Sequence, residues 1–351
     1  MTGPIGSAPY RAGVADLTVD GRPTRVLVDT AGSDLCITQS LADELDLAAH
    51  EWVDGPDGSV VAVVDPPALV VGDTALDTDG IVAYAFDDAR PLGLAARRAD
   101  VLLPATVLRR HHVVLDEPAS TMHVGPPGSL ERRGVTVPVS VEPVSGAFVT
   151  SVDVDGALVE LVVDTALGCS LIANDVMRGW QTAHPGWPAS ASAIGPANMT
   201  GLPVEARVPM LRVPLVQWGP FTVPEVAFAW RAGAGSLGGN VLRLFRLDLD
   251  WSAGSVRVEQ GAPFGDDGTE QVGVVLGIDD DGAYVVTATV SGLDDVHPGD
   301  ALVTVDGRPV GDLSLPEVLA LLQGMAGERH ELSLHRGEEA LVVSAPVLRL
   351  L

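Results

Sequence analysis

Residues 21–31 read GRPTRVLVDTA and residues 156–166 read GALVELVVDTA; the two stretches align without a gap, and each is preceded by Val-Asp, at Val19-Asp20 and Val154-Asp155. Each leaves a glycine turn, runs through apolar residues at strand spacing, and ends on Asp-Thr-Ala. A second pair of blocks follows at nearly the same distance beyond each aspartate, VLRRHHVVLD at 107–116 and VLRLFRLDLD at 241–250. Chance recurrence of one tripeptide does not produce a second block in step with the first. An internal repeat of this kind means one structural unit used twice, here 1–130 and 131–262.

Short Val-rich runs broken by Gly, Pro and Asp fill the rest of the chain, so the class is mainly β. Helices are expected in few places: 39–47 and 174–178 after the two Asp-Thr loops, 106–110, 240–244, and 316–325. The stretch 261–268, GAPFGDDG, reads as a linker of turn formers, and 270–351 as a third unit of small-domain size.

Composition narrows the function classes. With 351 residues, 46% hydrophobic and 19% charged, the chain supports packed cores and lacks an apolar run long enough to span a bilayer. The net charge of −26, with arginine as the sole fixed side-chain cation and no lysine, disfavours nucleic acid and anionic membranes as partners. Two cysteines, Cys36 and Cys169, without ligand spacing point to partly buried thiols rather than a disulfide or zinc site. No metal or cofactor is expected. The start of the chain shows no basic stretch leading into an apolar one, so a cytoplasmic location is the expectation. His111 and His112 are neighbours on one strand; they face opposite sides, cannot share an ion, and are expected at the surface. Trp180, Trp187, Trp218 and Trp230 are expected to pack in the second unit's core.

Two strands that each end in Asp-Thr and turn through small residues can bring two carboxyl groups together, at Asp29 and Asp164. Two such groups held close share one proton. One can then act as general base on a water while the protonated partner donates to a scissile carbonyl.

At this point the chain resembles the aspartic proteases of the retropepsin-like and pepsin-like group. The resemblance is carried by VLVDTAGS at 26–33, LVVDTA at 161–166 and SLGGNVL at 236–242, and covers residues 12–260. It implies two pseudo-symmetric aspartic-protease-like β lobes, a catalytic dyad of Asp29 and Asp164, and support of the two loops by Thr30, Ala31, Thr165 and Ala166. Because both aspartates lie in one chain, a dimer is not required. Family flaps imply hairpin tips at 54–59 and 195–201. Three departures stand out: Ala31 and Ala166 replace the usual glycines, and Pro104 stands where the second half has Gly238. Glycine serves close approach or positive φ, and proline removes an N–H. Two functions therefore remain open, an aspartic endopeptidase and a catalytically silent peptide-binding scaffold of the same fold.

The segments VGVVLGI at 272–278, HPGDALVTVDGRPV at 297–310 and the helix from Pro316 resemble a bacterial-type PDZ domain. That resemblance implies capture of a polypeptide's C-terminus as an added strand, with Val274, Val275, Leu276 and Gly277 as the carboxylate-binding loop facing the helix. A PDZ-like unit that only packs on the rest of the molecule is the alternative.

Overall fold

A computed structural model describes residues 4–54, 60–86, 97–192, 208–264, 270–279, 281–290 and 293–349. The molecule is mainly β, built on three sheets, with five described helices: α1 (Gln39–Glu44), α2 (Ala105–Leu108), α3 (Asn174–Ala183), α4 (Gly239–Leu242) and α5 (Leu315–Leu321). All five fall where the sequence places them. The helix after the second Asp-Thr loop runs to Ala183, about one and a half turns beyond the expected end at residue 178, with Trp180 of that extension packed on the core. No described helix is long and apolar enough to cross a membrane.

The duplication is visible in strand pairing. Arg22–Asp29 pairs in parallel with Val101–Pro104, and Ala157–Val163 pairs in parallel with Gly235–Leu237. Leu35–Thr38 lies parallel to Ala83–Phe86, just as Ser170–Ala173 lies parallel to Phe221–Arg231. The repeat's second blocks then meet each other. His112–Asp116 pairs antiparallel with Phe245–Asp250, from His112 opposite Asp250 to Asp116 opposite Arg246. This pairing sews the halves together, and one apolar cluster, including Val28, Leu103, Val163, Leu237 and Leu247, continues through both.

That central pairing overturns the expectation for the two histidines. His112 is fully buried and His111 nearly so. Leu130 N–H donates to His112 Nδ1 at 3.0 Å, so the ring proton sits on Nε2, 2.8 Å from Asp248 Oδ1. His111 Nε2 accepts from Asp77 N–H at 3.1 Å. His111 precedes the strand His112–Asp116 and is covered within the first half, at Asp77, whereas His112 is enclosed by the join between the halves, at Asp248. The tryptophans behave as expected: Trp218 is fully buried with Nε1 donating to Thr150 Oγ1, Trp180 is buried, and Trp187 and Trp230 pack against the core. Cys36 is a buried free thiol and Cys169 a half-buried one.

Residues 270–349 have their own apolar cluster, in which Val274 and Leu276 meet Val318, Leu322 and Leu334. Ser314 caps α5 in a reciprocal capping box with Glu317. This unit touches the first half through arginine. Arg98 donates from Nε to Leu313 O at 2.8 Å and from Nη2 to Gly282 O at 3.1 Å, and its guanidinium lies over the Tyr284 ring.

Candidate active site

The strands ending at Asp29 and at Val163, next to Asp164, bring their loops together at the middle of the duplicated body. Their threonines interlock. Thr30 Oγ1 donates to Val163 O and Thr165 Oγ1 to Val28 O, each at 2.6 Å. In return each hydroxyl accepts the other's amide, Thr30 N–H to Thr165 Oγ1 at 3.3 Å and Thr165 N–H to Thr30 Oγ1 at 3.2 Å. Both side chains are buried, where hydrogen bonds are strong and an unmade one is costly.

Just beyond them, Asp29 Oδ1 accepts from the amides of Ala31 at 2.9 Å and Gly32 at 2.8 Å. Asp164 Oδ1 accepts from those of Ala166 at 3.1 Å and Leu167 at 3.3 Å. These bonds fix one oxygen of each carboxyl. Both groups line a single cleft of about 270 Å³. Burial raises the pKa of Asp29, against the pull of its two amides. Burial and then the charge of Asp29 push Asp164 up to about 7, opposed by its own amides and by Arg231. The charge of Asp29 opposes ionisation of Asp164, so the two carboxyl groups do not lose their protons independently.

No family model matches the chain. No curated protein matches it either. Among solved structures, the aspartic proteinase from Irpex lacteus is similar over 74% of this chain and 98% of its own, at 15% identity and a TM-score of 0.43. The photosystem II D1 C-terminal processing protease is similar over only 23% of either chain, at 28% identity and a TM-score of 0.22.

The alanines in the two loops cause no backbone strain, since neither Ala31 nor Ala166 has a positive φ. The glycine that matters is the next one: a Cβ on Gly32 would fall 2.7 Å from Asp29 Oδ2. Pro104 is matched by a second exchange. In the later half Gly238 N–H donates to Ser170 Oγ at 3.0 Å, and a Cβ on Gly238 would strike Cys169 O. Counting from each aspartate, Leu35 holds the place of Ser170. The first half therefore lacks both the hydroxyl and the N–H that would need it, and no orphaned polar group results.

Two contributors went unnoticed in the sequence. Arg97 is buried and donates to Ala12 O and, at 3.2 Å, to Ala166 O, bracing the second loop from behind. Glu117 Oε1 in turn accepts Ala12 N–H. Arg231 stands on the cleft wall, with Nη1 donating to Ser236 Oγ at 3.1 Å. Neither arginine belongs to a repeated block, so no local pattern singles it out. Of the hairpin tips, residues 55–59 and 195–201 lie outside the described residues, as do 265–268 of the linker.

In the C-terminal unit Val274–Gly277 is not a loop. Val274–Ile278 forms a strand antiparallel to Tyr284–Thr289, with a bulge between Val275 and Leu276. Alternate side chains, Val274 and Leu276, enter the unit's core, which is why the segment extends rather than turning. It is the edge strand of its sheet.

Proposed function

We propose that the chain is an aspartic endopeptidase whose dyad is Asp29 and Asp164, within lobes 1–130 and 131–262, and that a PDZ-like unit at 270–351 helps recognise polypeptide. The observation that carries this reading is the pair of carboxyl groups on one cleft, Asp164 buried and Asp29 half-buried, locked by reciprocal threonines, with the pKa of Asp164 pushed up to about 7. The ionised carboxyl takes a proton from water as its oxygen attacks the scissile carbonyl carbon. The protonated partner gives its proton to the carbonyl oxygen. Collapse of the tetrahedral species breaks the C–N bond, the amine leaves with a proton, and the dyad returns to its singly protonated state. Thr30, Thr165, Ala31 and Ala166 position the carboxyl groups through hydroxyls and amides.

Amides that still reach the carboxylates, from alanines at ordinary φ, support catalysis over the silent-scaffold reading. The edge strand Val274–Ile278 offers unpaired backbone to an extended peptide, with α5 contributing to the same core. The test is digestion of a mixed peptide library. We expect internal cleavage that is indifferent to chelators and abolished by Asp29→Asn and by Asp164→Asn. Peptides bound but never cleaved by the wild-type protein identify the scaffold instead.

A further inference from the structure

The two halves differ in charge at one repeated position, which in the second half lines the cleft. Phe86 ends the strand beside Leu35–Thr38, opposite Thr38 at the start of α1. Arg231 ends the strand beside Ser170–Ala173, opposite Ala173 at the start of α3. In the first half the ring packs against the small cluster around Leu27, Cys36 and Leu102, which also takes in Ala166 of the opposite loop. The fold accepts an apolar side chain at this place, so packing alone does not call for arginine in the second half.

Arg231 is the one cation among the described residues lining the cleft, whose carboxyl groups are Asp29, Asp164 and Glu142. Glu142 is engaged locally, with Oε2 accepting from Ser145 N–H at 2.6 Å and Ser145 Oγ at 2.8 Å. Among the described residues Arg231 donates one hydrogen bond, to Ser236, and no carboxylate lies within ion-pair distance of it. Ser236 is buried and held in the strand Gly235–Leu237, so the guanidinium is anchored at one corner, and among the described residues nothing accepts from its remaining N–H groups. An arginine serving only to neutralise the dyad would bond Asp164 directly. This one stands off, and Asp164 remains high in pKa.

We propose that Arg231 determines specificity by receiving a substrate carboxylate on the second-half side of the scissile bond, a group an arginine fork binds in two-pronged fashion. In a chain of net charge −26, an acidic substrate group is repelled almost everywhere else. The inference rests on the endopeptidase reading for the location of the scissile bond. Its chemistry is shared by an internal Asp or Glu side chain and by a free chain terminus.

The test uses peptides identical except for Glu or Gln at each position within three residues of the cleaved bond, each with free and with amidated C-terminus. Cleavage is measured with the wild-type chain, and binding with the Asp29→Asn chain. We expect kcat/KM to favour Glu by about tenfold, the worth of one well-placed polar contact. The ratio falls to near one in Arg231→Gln, survives in Arg231→Lys, and turns against Glu in Arg231→Glu. Preference that follows the free C-terminus supports the same site with the chain end as its source. Equal cleavage of Glu and Gln peptides by the wild type, or a preference unchanged in Arg231→Gln, overturns the assignment and leaves the endopeptidase reading intact. If nothing is cleaved, that reading fails; Glu preference in binding still upholds Arg231, and its absence removes both.

Discussion

Thr30 and Thr165 are linked by exchange: each hydroxyl donates to the carbonyl just before the other's aspartate and accepts the other's amide. Each loop is thus a template for its partner. Replacing either by valine keeps the shape and leaves a buried carbonyl and amide unpaired, at a cost of roughly 1–3 kcal/mol. We expect a lower Tm for Thr30→Val and for Thr165→Val, with serine at either place retaining most of the stability. The double variant should lose less than the sum, because the bonds form one network. Displacing the dyad by an ångström costs about 100-fold in rate, so peptide cleavage should drop far more than the melting point suggests.

The dyad also sets a pH dependence. Both carboxyl groups have folded-state pKa values above their unfolded ones, so the native state holds more protons than the unfolded chain between the ordinary carboxylate range and about pH 7. Stability contributed by these groups therefore falls as pH rises through that window. Asp164→Asn keeps an oxygen for the amides of Ala166 and Leu167 while removing the charge. Thermal melts should show it more stable than wild type at pH 8, with the gain shrinking towards pH 4. Cleavage by the wild-type chain should decline above about pH 7 as the shared proton is lost.

Gly32 and Ala31 should respond oppositely to small changes. Gly32→Ala drives a methyl group towards Asp29 Oδ2 and must turn the carboxyl or shift the loop. We expect its kcat to fall tenfold or more, about 1.4 kcal/mol or greater in barrier. Ala31→Gly keeps the amide that reaches Asp29 Oδ1. It should retain cleavage and lose up to ~1 kcal/mol of stability through a freer unfolded chain.

Arg98 ties the C-terminal unit to the first half with two hydrogen bonds and a ring contact. In Arg98→Ala, amide hydrogen exchange should quicken around Gly282 and Leu313. The strands around Val272 and Leu332, buried in that unit's separate core, should keep their protection. Peptides titrated into a chain carrying both Asp29→Asn and Arg231→Gln should bind better with a free C-terminus than with an amide if the edge strand Val274–Ile278 captures chain ends. Equal affinity for both would mark the unit as architectural.

Much of this was legible along the chain because it is local and written twice. A strand pattern ending on Asp-Thr, repeated with its follow-on block, determined that the body is duplicated, where the aspartates sit, and where short helices follow. Turn formers and a changed pattern set off the third unit. Tertiary structure decided what those elements meet. His112 looks like a surface residue until the two repeat blocks pair with one another and enclose it, and His111 until the chain around Asp77 covers it. Val274–Gly277 looks like a loop until its alternate side chains find Val318 and Leu322. The bracing of the second loop by Arg97 and the docking of the third unit by Arg98 join residues distant in sequence. Periodicity records only which side of its own element a residue faces; the partner of a buried charge is set by strands pairing across a hundred or more residues, and no local pattern carries that information.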